Sequence, residues 1–362
     1  MSYNGFIEHH DPIFAFKEHP IEICLKLKNI YTKYIYTHIL LCIFGRVIYI
    51  KRKVVLHGPS TLIISLPSKW AKKYNIEKGA ELEVLEEDKN LIITSDSVWK
   101  PLEVDIDISN LDRSSIMYVI RSLYRLGYDV VRVQFQNSTA LYQRTGKEIS
   151  VISIIHTEIN RLIGYEIIQE KGNSCIIKDI QETSTKDFDQ ILRRIFLMII
   201  DTFGALLEGA KVNSMQLLET IEGKHDTITK FVSYCMRMLN KKGYPTPRKT
   251  AYYYHIIAYL DRVTDILKYA ARDLISYNKK LNPQAIPLLE LVNANIRLYY
   301  DLFYKYENKK IVDMDNNRYK AEKIVKALPS SLKPTEMVIV VSIYHIMEML
   351  LDLIEARTAL QF

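Results

Sequence analysis

Hydrophobic and polar positions divide the chain into a strand-rich part and a later helix-rich part. Between residues 51 and 95, short runs rich in β-branched residues alternate with turn residues. A basic segment that begins with a proline lies in the middle of this region. The hydrophobic pattern predicts strands at 54–56 and 62–66, a short helix at 67–74, and a hairpin with strands at 81–85 and 91–94.

A second pattern begins at Leu102, where apolar and acidic residues alternate as far as Ile108, the period of a half-buried strand. Ser109 or Asn110 is expected to cap a helix that ends at Gly127. The elements predicted after this helix are a strand at 130–135, a helix at 147–163, and hairpin strands at 165–170 and 175–180. This order is typical of a small two-layer α/β domain.

Beyond Asp187 glycine becomes rare and strand alternation vanishes. The breaks at 241–245, 281–283 and 328–334 predict antiparallel helices in bundles. A shift that places Pro247 on Pro334 also aligns Asp226 with Asp313, Asp261 with Glu348 and Asp265 with Asp352, which indicates two tandem helical bundles.

The resulting fold class is multidomain α+β. The length of 362 residues also favours several domains over one compact core. The predicted divisions are an N-terminal extension of unclear status at 1–46, a β-rich module at 47–97, the α/β domain at 101–182, and helical bundles at 187–278 and 284–362.

The four cysteines are widely scattered, which disfavours a disulfide framework or a zinc ribbon and fits a reducing cytoplasm. The apolar segment 34–50 contains His38 and Arg46 and lies too far from Met1 to be a signal peptide. A membrane anchor is the alternative there, but a packed segment is favoured, so we expect a cytoplasmic protein without stable membrane insertion.

Basic residues are concentrated early in the β-rich module, and acidic residues follow them. Such a basic edge fits contact with DNA phosphates, and a solvated basic surface is the alternative. Because so small a β-rich unit buries little surface, a homodimer is expected. The candidate DNA-binding residues are Lys51, Arg52, Lys53, Lys69, Lys72 and Lys73.

Four acidic residues form two i,i+4 pairs, Glu222 with Asp226 and Asp261 with Asp265. The two pairs lie at nearly equal distances on either side of Tyr244, so an antiparallel helix hairpin brings them level. Converging carboxylates require a cation or raise each other's pKa. They therefore predict a site for a divalent or trivalent metal ion such as Fe, Zn²⁺, Mn²⁺ or Mg²⁺.

The alternative is that these acids lie on solvated helix faces beside Arg262, Lys230 and Lys268. A weaker second metal site is predicted at the repeat, where Lys309 replaces the fourth acid. Its ligands are Asp313, Glu348 and Asp352.

Catalytic signatures are lacking. An ExxH element joins Glu222 to His225, but no second copy exists, so a di-iron oxidase is not expected. The chain has no HExxH, GxSxG or Walker sequence, and an enzyme is not expected.

The run from Arg52 to Thr94 resembles the AbrB/MazE/SpoVT swapped-hairpin family. The resemblance depends on Arg52-Lys53-Val54, Ile64-Ser65-Leu66-Pro67, a short basic helix, Ile76 and Gly79. It implies an interleaved homodimeric β-barrel whose basic face docks on DNA. Ser60-Thr61 stands where bacterial members often carry arginine, so the base preference does not transfer.

The helical region resembles the PhoU phosphate-uptake regulators, which consist of two three-helix bundles. Glu222-Gly-Lys-His-Asp226 and Asp261-Arg-Val-Thr-Asp265 match their paired acidic motifs, and Glu348-Met-Leu-Leu-Asp352 matches the second copy without its arginine. Metal clusters on these acids are a feature of that family.

Together the segments resemble archaeal-type PhoU-related regulators and imply a DNA-binding transcriptional regulator of phosphate homeostasis. The alternatives are an adaptor that represses a phosphate ABC transporter by contact with its ATPase, and a metal-dependent phosphohydrolase.

Overall fold

The structure is a computed structural model that describes residues 50–87, 90–95, 101–181, 187–329 and 332–362. It divides into two compact units, Met1–Trp99 and Lys100–Phe362. The predicted N-terminal extension and almost all of the apolar segment 34–50 lie outside the described residues, as does the turn at 88–89.

The described residues of the first unit form two antiparallel hairpins and one short helix. Strands β1 (Val54–His57) and β2 (Thr61–Ile64) pair with Val54 opposite Ile64, and Gly58 adopts a left-handed φ of 68° in their turn. Helix α1 (Ser68–Lys73) precedes strands β3 (Leu82–Glu87) and β4 (Asn90–Ser95). The two hairpins form separate two-stranded sheets, so among the described residues one chain does not close a barrel.

The second unit begins with an α/β layer, which six long helices follow in the described residues. The elements of the layer are β5 (Glu103–Asp107), α2 (Arg113–Leu126), β6 (Val130–Gln134), β7 (Thr139–Tyr142), β8 (Lys147–Ser150), α3 (Val151–Ile159), β9 (Tyr165–Lys171) and β10 (Ser174–Asp179). Four of the strands form one sheet in the order β5, β6, β10, β9. Strands β5 and β6 are parallel and are joined through α2, whereas the other pairs of this sheet are antiparallel. Helices α2 and α3 pack together, and their apolar residues share one buried core with the sheet.

Two predictions for this α/β layer were wrong in detail. Asp112, not Ser109 or Asn110, caps α2 by accepting a hydrogen bond from the Ser115 amide at 2.8 Å. The predicted helix at 147–163 begins later, because Lys147–Ser150 pairs as strand β8 with β7.

The helical region forms two groups of three helices. Helices α4 (Phe188–Val212), α5 (Met215–Lys242) and α6 (Thr250–Tyr277) pack on one another, and so do α7 (Ile286–Tyr304), α8 (Asn308–Ala327) and α9 (Pro334–Gln361). Contacts of α6 with α9 and of α4 with α7 join the groups. Helix α2 packs on α5, which attaches the α/β layer to the first group.

One described helix, α9, is long and apolar enough to cross a membrane, although 61% of its most apolar window is buried inside the chain. Core helices of water-soluble proteins meet the same criterion, so α9 is weak evidence for a membrane span.

Candidate functional site

The predicted DNA-binding side chains of the first unit are all exposed. Lys51, Arg52 and Lys53 directly precede β1, and Lys69, Lys72 and Lys73 belong to α1. Among the described residues no ion pair is seen for these six side chains, and exposed cations of this kind can bind DNA phosphates. Trp70 of this helix and Tyr74 at its C-terminal end have ring centroids 5.7 Å apart.

The hairpin of β1 and β2 exposes apolar side chains on both of its faces. Leu56 is 61% and Leu62 is 69% exposed, and these two residues are cross-strand partners. Neighbouring Val55 and Ile63 are exposed on the opposite face. A two-stranded hairpin is at best marginally stable alone in water, so this one requires another surface to cover it.

In the second unit, α5 and α6 bring together three of the four predicted metal-binding acids. His225 joins two of them, because its Nδ1 lies 3.0 Å from Asp226 and its Nε2 lies 3.0 Å from Asp265. Thr229 lies 3.5 Å from the His225 ring and donates to Asp261 at 3.4 Å. We call Asp226, Asp261 and Asp265 the aspartate cluster.

Each aspartate of this cluster already has a cationic partner. Arg161 donates to Asp226 at 2.6 Å, Arg125 to Asp261 at 2.9 Å, and Lys268 to Asp265 at 2.7 Å. The fourth predicted ligand, Glu222, instead pairs with Arg272 through two hydrogen bonds of 2.9 and 2.5 Å.

The charges at His225 are strongly coupled. Burial lowers the pKa of His225, but its hydrogen bonds with Asp226 and Asp265 outweigh burial and raise that pKa above its ordinary value. Burial opposes ionisation of Asp265, yet His225 and Lys268 hold the pKa of this carboxyl well below its usual range. The ionised carboxylates of Asp226 and Asp265 are thus stabilised by the basic side chains that contact them.

These contacts test whether a metal ion fits. A metal ligand must offer free carboxylate oxygens, whereas here cationic side chains contact all three aspartates. Within the described part of the chain, no group of three or more His, Cys, Asp or Glu side chains is arranged to hold a metal ion. As folded, the donor set does not fit a metal, and metal binding stays a prediction.

Two acids of the predicted second site contact different partners. Glu348 is buried and accepts hydrogen bonds from Arg318 at 2.9 Å and from Tyr344 at 3.0 Å. Asp352 accepts from Tyr259 at 3.2 Å. Asp313 is partly buried on α8.

Sequence reasoning missed the cations that the α/β layer supplies. Arg125 and Asp261 are separated by 136 positions, and Arg161 and Asp226 by 65, so helix periodicity does not relate them. Arg237 carries a clearer signal, because it interrupts the apolar run Tyr234-Cys-Met-Arg-Met-Leu239. It is fully buried and its guanidinium donates to three groups: Asp179 at 2.6 Å, the Tyr124 carbonyl at 2.8 Å and Asp129 at 3.1 Å.

A shallow polar cleft lies at the carboxyl ends of the parallel strands, the usual place for a ligand in an open α/β sheet. Its lining includes Asp112, Gln136, Asn137 and Glu148 and contains no cationic side chain. The cleft is therefore poorly suited to phosphate.

The profile of one protein family matches part of the chain. The family described as "Antidote-toxin recognition MazE, bacterial antitoxin" matches residues 57–100. The match includes β2, α1, β3 and β4, and with them Lys69, Lys72 and Lys73. Comparison with curated proteins and with solved structures gave no significant match. Residues 57–100 thus form a MazE/AbrB-like domain, which confirms that part of the predicted resemblance, while the PhoU resemblance stays a prediction.

Proposed function

We propose that the protein is a cytoplasmic, homodimeric DNA-binding transcriptional regulator. The observation that carries this proposal is the coincidence of the MazE-like match with exposed basic side chains that have no ion-pair partner among the described residues. Lysine and arginine side chains in this state can neutralise DNA phosphates and release counterions, which is the main source of affinity for DNA.

The exposed apolar hairpin supports the homodimer. Full burial of one valine, leucine or isoleucine side chain contributes about 1.5–3 kcal/mol, and the β1–β2 hairpin offers six such side chains that are 45–69% exposed. A second copy of the same module presents the same surface, as a twofold interface requires. The swapped-hairpin barrel implied by the family resemblance would form between two chains.

The finer proposal is that the regulated genes serve phosphate uptake. It is supported by the resemblance of the acidic motifs to PhoU and by the two packed groups of three helices. In this proposal the helical region senses metal, phosphate status or a partner such as a transporter ATPase, and alters the DNA affinity of the first unit. No catalytic step is assigned to the protein.

A selection experiment tests the main proposal. The purified full-length protein is incubated with a pool of randomised duplex DNA, and the bound DNA is sequenced. We expect one enriched motif, which Lys72→Ala/Lys73→Ala should abolish. The matched control is Lys279→Ala/Lys280→Ala, which removes the same charge from an exposed site after α6 and should retain the motif.

Failure to enrich any sequence would overturn the regulator and favour the adaptor, which should instead co-purify with a transporter ATPase without DNA. Mapping of bound sites in cells grown with and without phosphate then tests the finer proposal. Occupancy that does not depend on phosphate would leave a regulator but remove phosphate as its signal.

A further inference from the structure

Helix α8 has a basic side that is exposed in the part of the chain that the structure describes. Nine of its residues are exposed, and none of the nine is acidic. Spacings of three and four positions place most of them on one side of the helix. We call this side the α8 basic face, and its members are Asn308, Lys309, Val312, Asn316, Tyr319, Lys320, Lys323, Lys326 and Ala327.

The lysines of this face give it a positive charge. Among the described residues no ion pair is seen for Lys309, Lys320 or Lys323, whereas Lys326 pairs with Glu322 at 2.7 Å. The acidic residues of α8 are all partly buried. The charge that this side of the helix presents to its surroundings is therefore mainly that of exposed ammonium groups.

Stabilisation of α8 itself does not account for the two central lysines. Cations stabilise the negative end of the helix dipole, and this effect falls off within the last turn. Helix α8 ends at Ala327, so Lys320 and Lys323 lie before that turn, and only Lys326 is inside it. An anionic partner is the remaining role for exposed charges at these positions.

A lipid surface does not fit this face. A helix that binds at a membrane surface inserts its apolar side between the lipids. The apolar side of α8 is already buried against its neighbours through Met314, Ala321 and Val325. Val312 and Tyr319 are the large apolar or aromatic side chains that the exposed side offers, and they are 58% and 51% exposed.

Duplex DNA fits the face better than an acidic protein does. Lysine is depleted in protein–protein interfaces, whereas its compact charge binds phosphate without a preference for any base. Asn316 and Tyr319 lie on the same side and carry groups of the kind that donate to phosphate oxygens. Lys309 and Lys323 are separated by about 21 Å along the helix axis, a length beside which a duplex presents several phosphates.

We propose that the α8 basic face is a second DNA-contact surface, which binds duplex phosphates without reading the base sequence. This inference rests on the proposed DNA-binding function and extends it from the first unit to the helical region. It gives the helices a direct share in DNA affinity, so a change in their arrangement can alter binding.

The salt dependence of DNA binding tests the proposal. The affinity of the full-length protein for a fluorescent duplex is measured by anisotropy between about 50 and 200 mM salt. Over this range the affinity of Lys320→Ala/Lys323→Ala should fall about tenfold less than that of the wild type, because two fewer phosphates are neutralised. Lys320→Arg/Lys323→Arg keeps both charges and should behave like the wild type.

Lys279→Ala/Lys280→Ala is the matched control, since it removes the same charge from another exposed site and should not change the salt dependence. A salt dependence that is identical in Lys320→Ala/Lys323→Ala and the wild type would overturn the inference and leave the proposed function intact. That variant would place a second copy of the chain on the face if it raised only the dimer dissociation constant, and a structural role if it lowered only the melting temperature; both results would also overturn the inference. No binding of any duplex by the wild type would remove the proposed function, and the inference with it.

Lysine acetylation of the wild type supplies a measurement that needs no variant. The protein is treated briefly with an acetylating reagent, with and without saturating duplex, and the modified lysines are quantified by mass spectrometry. The duplex should slow acetylation of Lys320 and Lys323 and leave Lys279 and Lys280 unchanged. Equal rates at Lys320 and Lys323 with and without the duplex would overturn the inference.

Discussion

Replacement of Arg237 by methionine should strongly destabilise the second unit. The side chain is fully buried in α5, and its guanidinium satisfies Asp179, Asp129 and the Tyr124 carbonyl. It also lies 4.9 Å from the centre of the Tyr124 ring. Methionine fills part of the same volume but leaves the Asp179 carboxylate, which is 5% exposed, without its cation.

The expected destabilisation follows from that orphaned charge. Removal of one partner from a buried pair costs about 3–5 kcal/mol. For a unit of this size, that cost lowers the melting temperature by about 6–20 °C. The assay is thermal unfolding of the full-length protein, followed by circular dichroism.

Arg132→Met is the matched control, because Arg132 pairs with Glu103 at 2.5 Å on the exposed face of the sheet, where both side chains are about 40% exposed. Pairs of that kind contribute about 0–1 kcal/mol. The double variant Arg237→Met/Asp179→Asn should recover part of the stability, since the orphaned charge is then removed. Equal melting temperatures for Arg237→Met and Arg132→Met would refute the reasoning.

Three further outcomes are expected. Leu56→Asp should raise the dimer dissociation constant at least about tenfold in analytical ultracentrifugation, because an apolar side chain is removed from each copy; an unchanged constant would place the interface elsewhere. Gly164→Ala should lower the free energy of unfolding by more than about 1 kcal/mol, since φ is +88° and the new Cβ would lie 2.5 Å from the Asp179 carboxylate. Gly223→Ala lies at an open helical position and should raise the free energy of unfolding by about 0.5–1 kcal/mol. Urea unfolding measures both changes. Burial raises the pKa of the Cys235 thiol to about 12, so iodoacetamide near neutral pH should modify it only after unfolding; mass spectrometry that finds rapid alkylation of the native protein would contradict this.

Much of the secondary structure followed from local pattern. Alternation between Leu102 and Ile108 predicted β5, and the terminating glycine after Leu126 predicted the end of α2, where Gly127 has a left-handed φ of 99°. The hairpin of β9 and β10 was also confirmed. Strand β8 was missed because its four residues carry little alternation and continue directly into an apolar helix.

The candidate sites were predictable only in part. The basic residues of the first unit stand out in the sequence because they are close together, and their contact with DNA stays a prediction. Helix spacing predicted Asp226 level with Asp261 and Glu222 level with Asp265, whereas in the structure His225 lies between Asp226 and Asp265, and Glu222 pairs with Arg272. Spacing also could not identify Arg125 and Arg161 as partners of the aspartate cluster. Those pairs depend on how the α/β layer packs on α5, which is a tertiary property without a sequence period.

The salt dependence of DNA binding tests the role of the first unit most directly. The affinity of the full-length protein for its selected duplex is measured by fluorescence anisotropy over a range of salt concentrations. The logarithm of the affinity should fall steeply with the logarithm of salt, and Lys72→Ala/Lys73→Ala should reduce the slope by about 0.9 for each phosphate that is no longer neutralised. Lys279→Ala/Lys280→Ala should leave the slope unchanged. Binding that is insensitive to salt, or one slope shared by all three proteins, would contradict DNA contact through the MazE-like module.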